Sequence, residues 1–132
     1  MSDLDVEVVL ALGDVDVSGL GTLPGNVRVA GWMPLSALLP RCAAIVHHGG
    51  AGTTTNALVV GLPQLVPPQG ADQHWNATAV EQRGVGLTYR PEEAGATRVR
   101  GSLERLLGEL GFARAAAEVR AEIAAQPTWP TW

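Results

Sequence analysis

Short apolar blocks recur along this chain, and glycine or proline closes most of them. The blocks are continuous apolar runs with little alternation, which is typical of strands buried on both faces of a sheet. They predict strands over residues 6–12, 27–30, 45–46, 64–66 and 85–89. The segments between and after them predict helices over 34–39, 53–60, from Asp72 or Gln73 to about 83, 97–110 and 112–125.

Strands that alternate with helices predict a parallel sheet with helices on both faces. We therefore assign the chain to the α/β class, with a Rossmann-like architecture. In such sheets ligands bind beyond the carboxyl ends of the strands. The loops at 13–16, 31–34, 47–54 and 67–73 should lie at that edge, and they contain most of the candidate chemistry.

Composition narrows the class of protein further. With 132 residues, 46% of them hydrophobic and 17% charged, the chain is expected to form one globular domain. A net charge of −4 without a basic cluster argues against a nucleic-acid partner. No run is long enough to predict a membrane span, so a cytoplasmic location is expected. The single Cys42, among apolar neighbours, is expected to be a buried, inert thiol.

The segment from His47 to Thr54, His-His-Gly-Gly-Ala-Gly-Thr-Thr, is the most informative one. It joins a predicted strand to a predicted helix, and its glycines allow a tight turn close to a ligand. The N–H groups at the start of a helix, together with the helix dipole, favour an anion there, most often a phosphate. Adjacent histidines in extended backbone point to opposite faces, so His47 and His48 do not predict a metal site.

Other phosphate-binding and catalytic motifs are not matched. A P-loop needs a lysine, and the chain has none. The dinucleotide fingerprint and the G-x-S-x-G elbow of serine hydrolases are also absent. Asp14 and Asp16 form a D-x-D sequence, but they stand in a polar turn where aspartate is favoured anyway. We therefore predict no metal ligands and no cofactor.

Three segments resemble a known family: 25–34, 47–54 and 67–73 with Asn76. In their order and spacing they are similar to the C-terminal, nucleotide-sugar-binding half of GT-B fold glycosyltransferases. The similarity is strongest to bacterial enzymes that attach deoxysugars to macrolides and other natural products. The resemblance covers nearly the whole chain. It implies an inverting, metal-independent glycosyltransferase, with residues 1–132 as a single donor-binding domain.

The resemblance also implies roles for individual residues. Trp32 would stack on the nucleotide base, and Met33 would offer backbone groups to the base edge. His48 corresponds to the histidine that binds the diphosphate, whereas His47 is expected to be structural. Backbone N–H groups and a hydroxyl for the phosphates would come from Gly50, Gly52, Thr53 and Thr54.

The acidic residue and glutamine that grip hydroxyls of the donor sugar correspond to Asp72 and Gln73. Capping of the following helix is an alternative role for Asp72. Trp75 is a candidate for the donor cleft, and His74 is expected at the surface. Relatives that use ribose-containing donors carry a glutamate where Asn56 stands. Leu35 stands at the position after W-x-P where a glutamine is common. These departures favour a TDP-sugar over a UDP-sugar as the partner.

The acceptor-binding N-terminal half of the family, its general base and the first strand and helix of the C-terminal half have no counterpart here. The resemblance therefore predicts a domain truncated at both ends, completed by an acceptor-binding half in cis or as a separate chain. Alone, the chain is expected to be inactive. Alternatives are a non-catalytic nucleotide-binding subunit, an inactive remnant, or an unrelated Rossmann-like nucleotide binder.

Overall fold

The computed structural model describes residues 6–11, 25–30, 33–93 and 95–126. The chain divides into two compact units, Met1–Leu38 and Leu39–Trp132. Three residues singled out in the sequence, Asp14, Asp16 and Trp32, lie outside the described residues.

The described residues of the first unit form two parallel strands and a short helix. Strand β1 (Val8–Ala11) pairs with β2 (Val27–Ala30), with Val8 opposite Val27. The side chain of Asn26 donates a hydrogen bond to the carbonyl oxygen of Val6 at 3.0 Å, next to the start of this pairing. Helix α1 (Leu35–Leu38) follows Pro34, as expected for a proline at the start of a helix.

Where the second unit is described, three parallel strands alternate with helices, and two helices follow one another at its end. The chain first forms a 3₁₀ turn, Leu39–Arg41. The strands are β3 (Ile45–Val46), β4 (Gln64–Val66) and β5 (Gly86–Thr88). The helices are α2 (Ala51–Val60), α3 (Ala71–Gln82), α4 (Ala96–Gly108) and α5 (Leu110–Ala124).

Strand β4 lies in the middle of the three-stranded sheet, between β3 and β5. All of its residues are buried, as expected for the central strand of a parallel sheet. Val66 packs with Val80 of α3 and Val119 of α5 in the main apolar cluster of the described residues. Gly86 opposes Gln64 in β5, and a side chain there would collide with the Gln64 carbonyl oxygen and crowd Val80.

The predicted α/β class with parallel strands is confirmed, and the second unit follows the predicted order of elements. Two details differ from the predictions. Among the described residues β1 pairs with β2 in the first unit and β3–β4–β5 pair in the second, whereas one sheet was predicted, because local patterns do not encode the long-range contacts that set strand partners. A 3₁₀ turn at Pro91–Glu93 was not predicted.

Cys42 also differs from its prediction. It is half-buried, not fully buried, and burial raises the pKa of its thiol. Within the described ranges, none of the helices is long and apolar enough to cross a membrane.

Candidate functional site

The turn between β3 and α2 is built mainly from main-chain groups. Gly50 is the N-cap of α2, and no side chain caps this helix end. The Gly50 carbonyl oxygen accepts two hydrogen bonds from Thr54, one from its N–H at 2.9 Å and one from its hydroxyl at 2.8 Å. Thr54 is 7% exposed, so both of its donors are used inside the protein.

The donors available to a ligand are therefore the first N–H groups of the helix. In an α-helix the N–H groups of the first turn have no partner within the helix, and here they belong to Ala51, Gly52 and Thr53. The positive end of the helix dipole lies at the same place. This helix start can bind an anion such as a phosphate group. Of the predicted phosphate ligands, Gly52 and Thr53 carry such N–H groups, Gly50 is the N-cap, and Thr54 uses its donors to hold the turn together.

The two histidines before the turn have different surroundings. His48 is exposed to solvent. His47 is partly buried, and both of its ring nitrogens have partners: Nε2 lies 2.6 Å from Oε1 of Gln64, and Nδ1 accepts from the N–H of Gly49 at 3.0 Å. Burial, with a smaller contribution from His48, lowers the pKa of His47. The structure thus agrees with a structural role for His47 and leaves His48 free to face a ligand.

Gly49 connects this turn to helix α3. It has a φ of +98°, in the region that favours glycine. A Cβ atom at Gly49 would lie 2.9 Å from the carbonyl oxygen of Gln73 and 3.0 Å from a methyl group of Val66. The side-chain amide of Asn76 donates to the Gly49 carbonyl oxygen at 2.7 Å. The start of α3 is thereby held against the turn that precedes α2.

The predicted sugar-binding residues stand in the first turn of α3. Its N-cap is Gly70, with no side-chain cap, so Asp72 does not cap the helix. Asp72 is exposed. Gln73 is half-buried, and its Oε1 accepts from the backbone N–H of Gln69 at 2.9 Å, which leaves the amide nitrogen of the same group to face a ligand.

The remaining predicted residues lie in several places. Met33 belongs to the first unit and is 44% exposed. Asn56 lies exposed on α2, and His74 lies exposed on α3, as predicted for a surface histidine. Trp75 is 82% exposed.

The structure therefore brings two predicted groups together: the β3–α2 turn with His48, and the start of α3 with Asp72 and Gln73. In the described part of the chain no three His, Cys, Asp or Glu side chains come together in a possible metal site. Sequence reasoning missed Gln64, although a polar residue inside the apolar run of β4 was a signal. It also gave no role to Asn76, which belongs to the segment that resembles the family.

Comparison with known proteins supports a common origin for this arrangement. A family model described as erythromycin biosynthesis protein CIII-like, C-terminal domain, matches residues 1–131. Elloramycin glycosyltransferase ElmGT of Streptomyces olivaceus is 48% identical over 123 residues, which are 93% of this chain and 31% of that protein. TDP-daunosamine transferase DnrS of Streptomyces peucetius is 43% identical over 96% of this chain and 30% of its own length.

Solved structures agree with these relatives. The crystal structure of glycosyltransferase VinC in complex with DTDP superposes with a TM-score of 0.89 at 42% identity. The superposition covers 96% of this chain and 32% of VinC. The chain therefore spans about a third of the length of the proteins that it matches.

Proposed function

Because the chain belongs to the family of erythromycin biosynthesis protein CIII-like C-terminal domains, we propose that it binds the nucleotide-sugar donor of a glycosyltransferase that acts on a natural product. The family assignment confirms the resemblance that the sequence motifs suggested. One observation of the structure carries the proposal. The first turn of α2 presents unpaired N–H groups beside the exposed His48, and this combination suits a diphosphate.

The donor we propose is a TDP-deoxysugar. DnrS is named as a TDP-daunosamine transferase, and VinC was solved with DTDP. Asn56 and Leu35 support the same choice, because the glutamate and glutamine that their positions carry in relatives with ribose-containing donors are replaced here. A pocket without those polar partners loses little when the ligand lacks a 2′-hydroxyl group.

We also propose how the donor is activated. When the sugar leaves, negative charge develops on the diphosphate, and donors already fixed around it stabilise that charge. His48 and the N–H groups of Ala51, Gly52 and Thr53 would supply this stabilisation without a metal ion. Inversion at the sugar carbon follows from the family resemblance. The acceptor and its base would be bound by an acceptor-binding half, in the same polypeptide or in a separate chain, so that the 132-residue chain alone would not transfer sugar.

Calorimetric titration of the chain with TDP and with UDP tests this proposal. TDP should bind more tightly than UDP, and His48→Ala should weaken TDP binding by about ten- to a hundredfold, because a charge-assisted hydrogen bond is lost. His74→Ala is the matched control, since His74 is exposed on α3. Tighter binding of UDP than of TDP would contradict the assignment of a TDP-sugar as the donor. Equal TDP affinities of His48→Ala and the wild type would contradict the site.

A further inference from the structure

The peptide groups on both sides of Gly49 are held by side chains from different parts of the second unit. Its N–H donates to Nδ1 of His47 at 3.0 Å. Its carbonyl oxygen accepts from Nδ2 of Asn76, which lies 27 residues later in the sequence, at 2.7 Å. Gly49 itself is buried. The residue directly before the N-cap of α2 is therefore fixed in orientation from two directions.

The hydrogen bonds around His47 determine its protonation state. The Gly49 N–H can only donate, so Nδ1 must accept and carries no proton. The ring proton is then on Nε2, which donates to Oε1 of Gln64 at 2.6 Å. Gln64 is completely buried, and the opposite orientation of its amide would place two donors against each other. Gln64 therefore selects the neutral tautomer of His47 that can hold Gly49.

We propose that His47 and Asn76 are positioning residues for the nucleotide diphosphate: together they fix the Gly49 peptide groups, and thereby the direction in which the first N–H groups of α2 point. This inference rests on the proposed function. It extends that function, because it assigns these two side chains the role of holding the backbone and not of binding the ligand themselves. We name the set of Gly49, His47, Gln64 and Asn76 the Gly49 clamp.

The clamp acts on the ligand through Gly50. Once Gly49 is fixed, the Gly50 carbonyl oxygen receives both donors of Thr54, and this sets the first turn of α2. His47 itself cannot donate to a phosphate while both nitrogens keep these partners, whereas the neighbouring His48 is exposed. The two adjacent histidines thus have different roles: His47 holds the turn, and His48 faces the diphosphate.

Two substitutions at His47 separate its two contacts. In His47→Asn the side-chain oxygen takes about the place of Nδ1 and can accept from the Gly49 N–H. In His47→Gln the amide can reach toward Gln64 but leaves no acceptor at the Nδ1 position. We expect TDP affinity close to the wild type for His47→Asn and about three- to tenfold weaker for His47→Gln. The urea unfolding midpoints of the two variants should be similar, so that a difference in their TDP affinity does not come from a difference in stability.

Asn76→Ala is the second variant, and it should weaken TDP binding by a similar factor. Thr78→Ala is its control, because the exposed Thr78 hydroxyl donates to the His74 carbonyl oxygen within α3, whereas the Asn76 amide donates to Gly49. If both His47 variants, or Asn76→Ala and Thr78→Ala, bind TDP equally well, the clamp does not position the ligand. Absence of TDP binding by the wild type would instead overturn the proposed function, and with it any role of the clamp in binding.

A measurement without nucleotide keeps the clamp itself testable, even if a variant does not fold. Long-range ¹H–¹⁵N NMR spectra of the wild type at pH 7.5 distinguish the tautomers of histidine. His47 should carry its proton on Nε2, and the Gly49 amide proton should exchange slowly with solvent. A proton on Nδ1, or rapid exchange of the Gly49 amide, would overturn the clamp whatever the nucleotide result.

Discussion

In the second unit, the turn from β3 to α2 and the turn from β4 to α3 each lead from a strand into a helix, and they are held in different ways. The turn from β3 to α2 depends on contacts distant in sequence, in which His47 bonds to Gln64 and Asn76 bonds to Gly49. The turn from β4 to α3 is held by a local contact, from the Gln69 N–H to the side chain of Gln73. In both turns a glycine is the N-cap and no side chain caps the helix.

This difference corresponds to what each turn would bind. The diphosphate is common to nucleotide-sugars that carry different sugars. Main-chain N–H groups that are fixed by distant contacts therefore suit it. The sugar varies between donors, and the second turn offers the exposed side chain of Asp72, which can be replaced without disturbing a core, next to the half-buried Gln73. Substitutions in the first turn, from β3 to α2, are therefore expected to lower the stability of the protein. Substitutions in the second turn, from β4 to α3, are expected to change which sugar donor is bound.

Replacing the central glycine of the first turn should have the largest effect. Gly49→Ala forces a side chain into a φ of +98° and places Cβ 2.9 Å from the Gln73 carbonyl oxygen. Strain and overpacking together should lower the free energy of unfolding by about 2–5 kcal/mol. Urea unfolding at neutral pH measures this change.

Gly70→Ala, in the second turn, is the matched control. Gly70 has an extended φ of −166°, which any residue adopts, and a Cβ atom there would have no neighbour within 4 Å. The expected loss is below about 1 kcal/mol, from the weaker N-cap alone. Equal losses for the two alanine variants would remove the distinction between the turns.

Replacing Asp72 should change selectivity and leave stability unchanged. If its carboxylate accepts hydrogen bonds from sugar hydroxyl groups, Asp72→Ala should weaken binding of a TDP-sugar by about tenfold. Affinity for TDP, which has no sugar on the diphosphate, should stay the same. Competition titrations with both ligands measure the two effects.

Glu81→Ala provides the comparison for Asp72→Ala, since Glu81 is an exposed acidic residue at the other end of α3. This substitution removes the same charge from α3 as Asp72→Ala does, but at the C-terminal end of the helix. A loss of TDP affinity in Asp72→Ala would show that this side chain acts on the diphosphate or on the turn, and would contradict its assignment to the sugar.

The bounds of the strands and helices that flank these turns could be predicted closely, because glycine and proline mark the ends of these elements. Gly61 follows α2 in the left-handed conformation, and Pro63 precedes β4, so both boundaries are visible in the sequence. The start of α2 at Ala51 lies two residues before the predicted start at Thr53. The role of the glycines as a turn before a helix also followed from local chemistry.

The contacts that hold the first turn could not be predicted in the same way. His47 and Gln64 are 17 residues apart and meet because β3 and β4 pair in parallel. Asn76 reaches Gly49 because α3 lies beside the turn. Both depend on how elements pack, and a single sequence carries no direct signal of that packing. A polar residue in a buried strand indicates that such a partner must exist, but not which one it is.

The smallest effect that we predict is the pH dependence contributed by His47. Burial lowers the pKa of His47 in the folded protein, while in the unfolded chain it is expected near the ordinary histidine value of about 6.5. Below that value the unfolded state binds more protons than the folded state, so acidification favours unfolding. The contribution of His47 to stability is thus complete above about pH 6.5 and is lost as the pH falls toward its folded pKa.

Urea unfolding of the wild type and of His47→Asn between pH 8 and pH 5 isolates this contribution. Subtracting the free energies of unfolding of the two proteins at each pH leaves the contribution of the residue in which they differ, His47. The difference should be constant above about pH 7 and should shift against the wild type as the pH falls below about 6.5. Protonation of His47 adds a proton at Nδ1, where the Gly49 N–H also points. Once the pH is low enough to protonate His47 in the folded protein, TDP binding should therefore weaken more in the wild type than in His47→Asn. A difference that does not change with pH would mean that His47 titrates alike in the folded and unfolded states, and that the first turn does not depend on its neutral form.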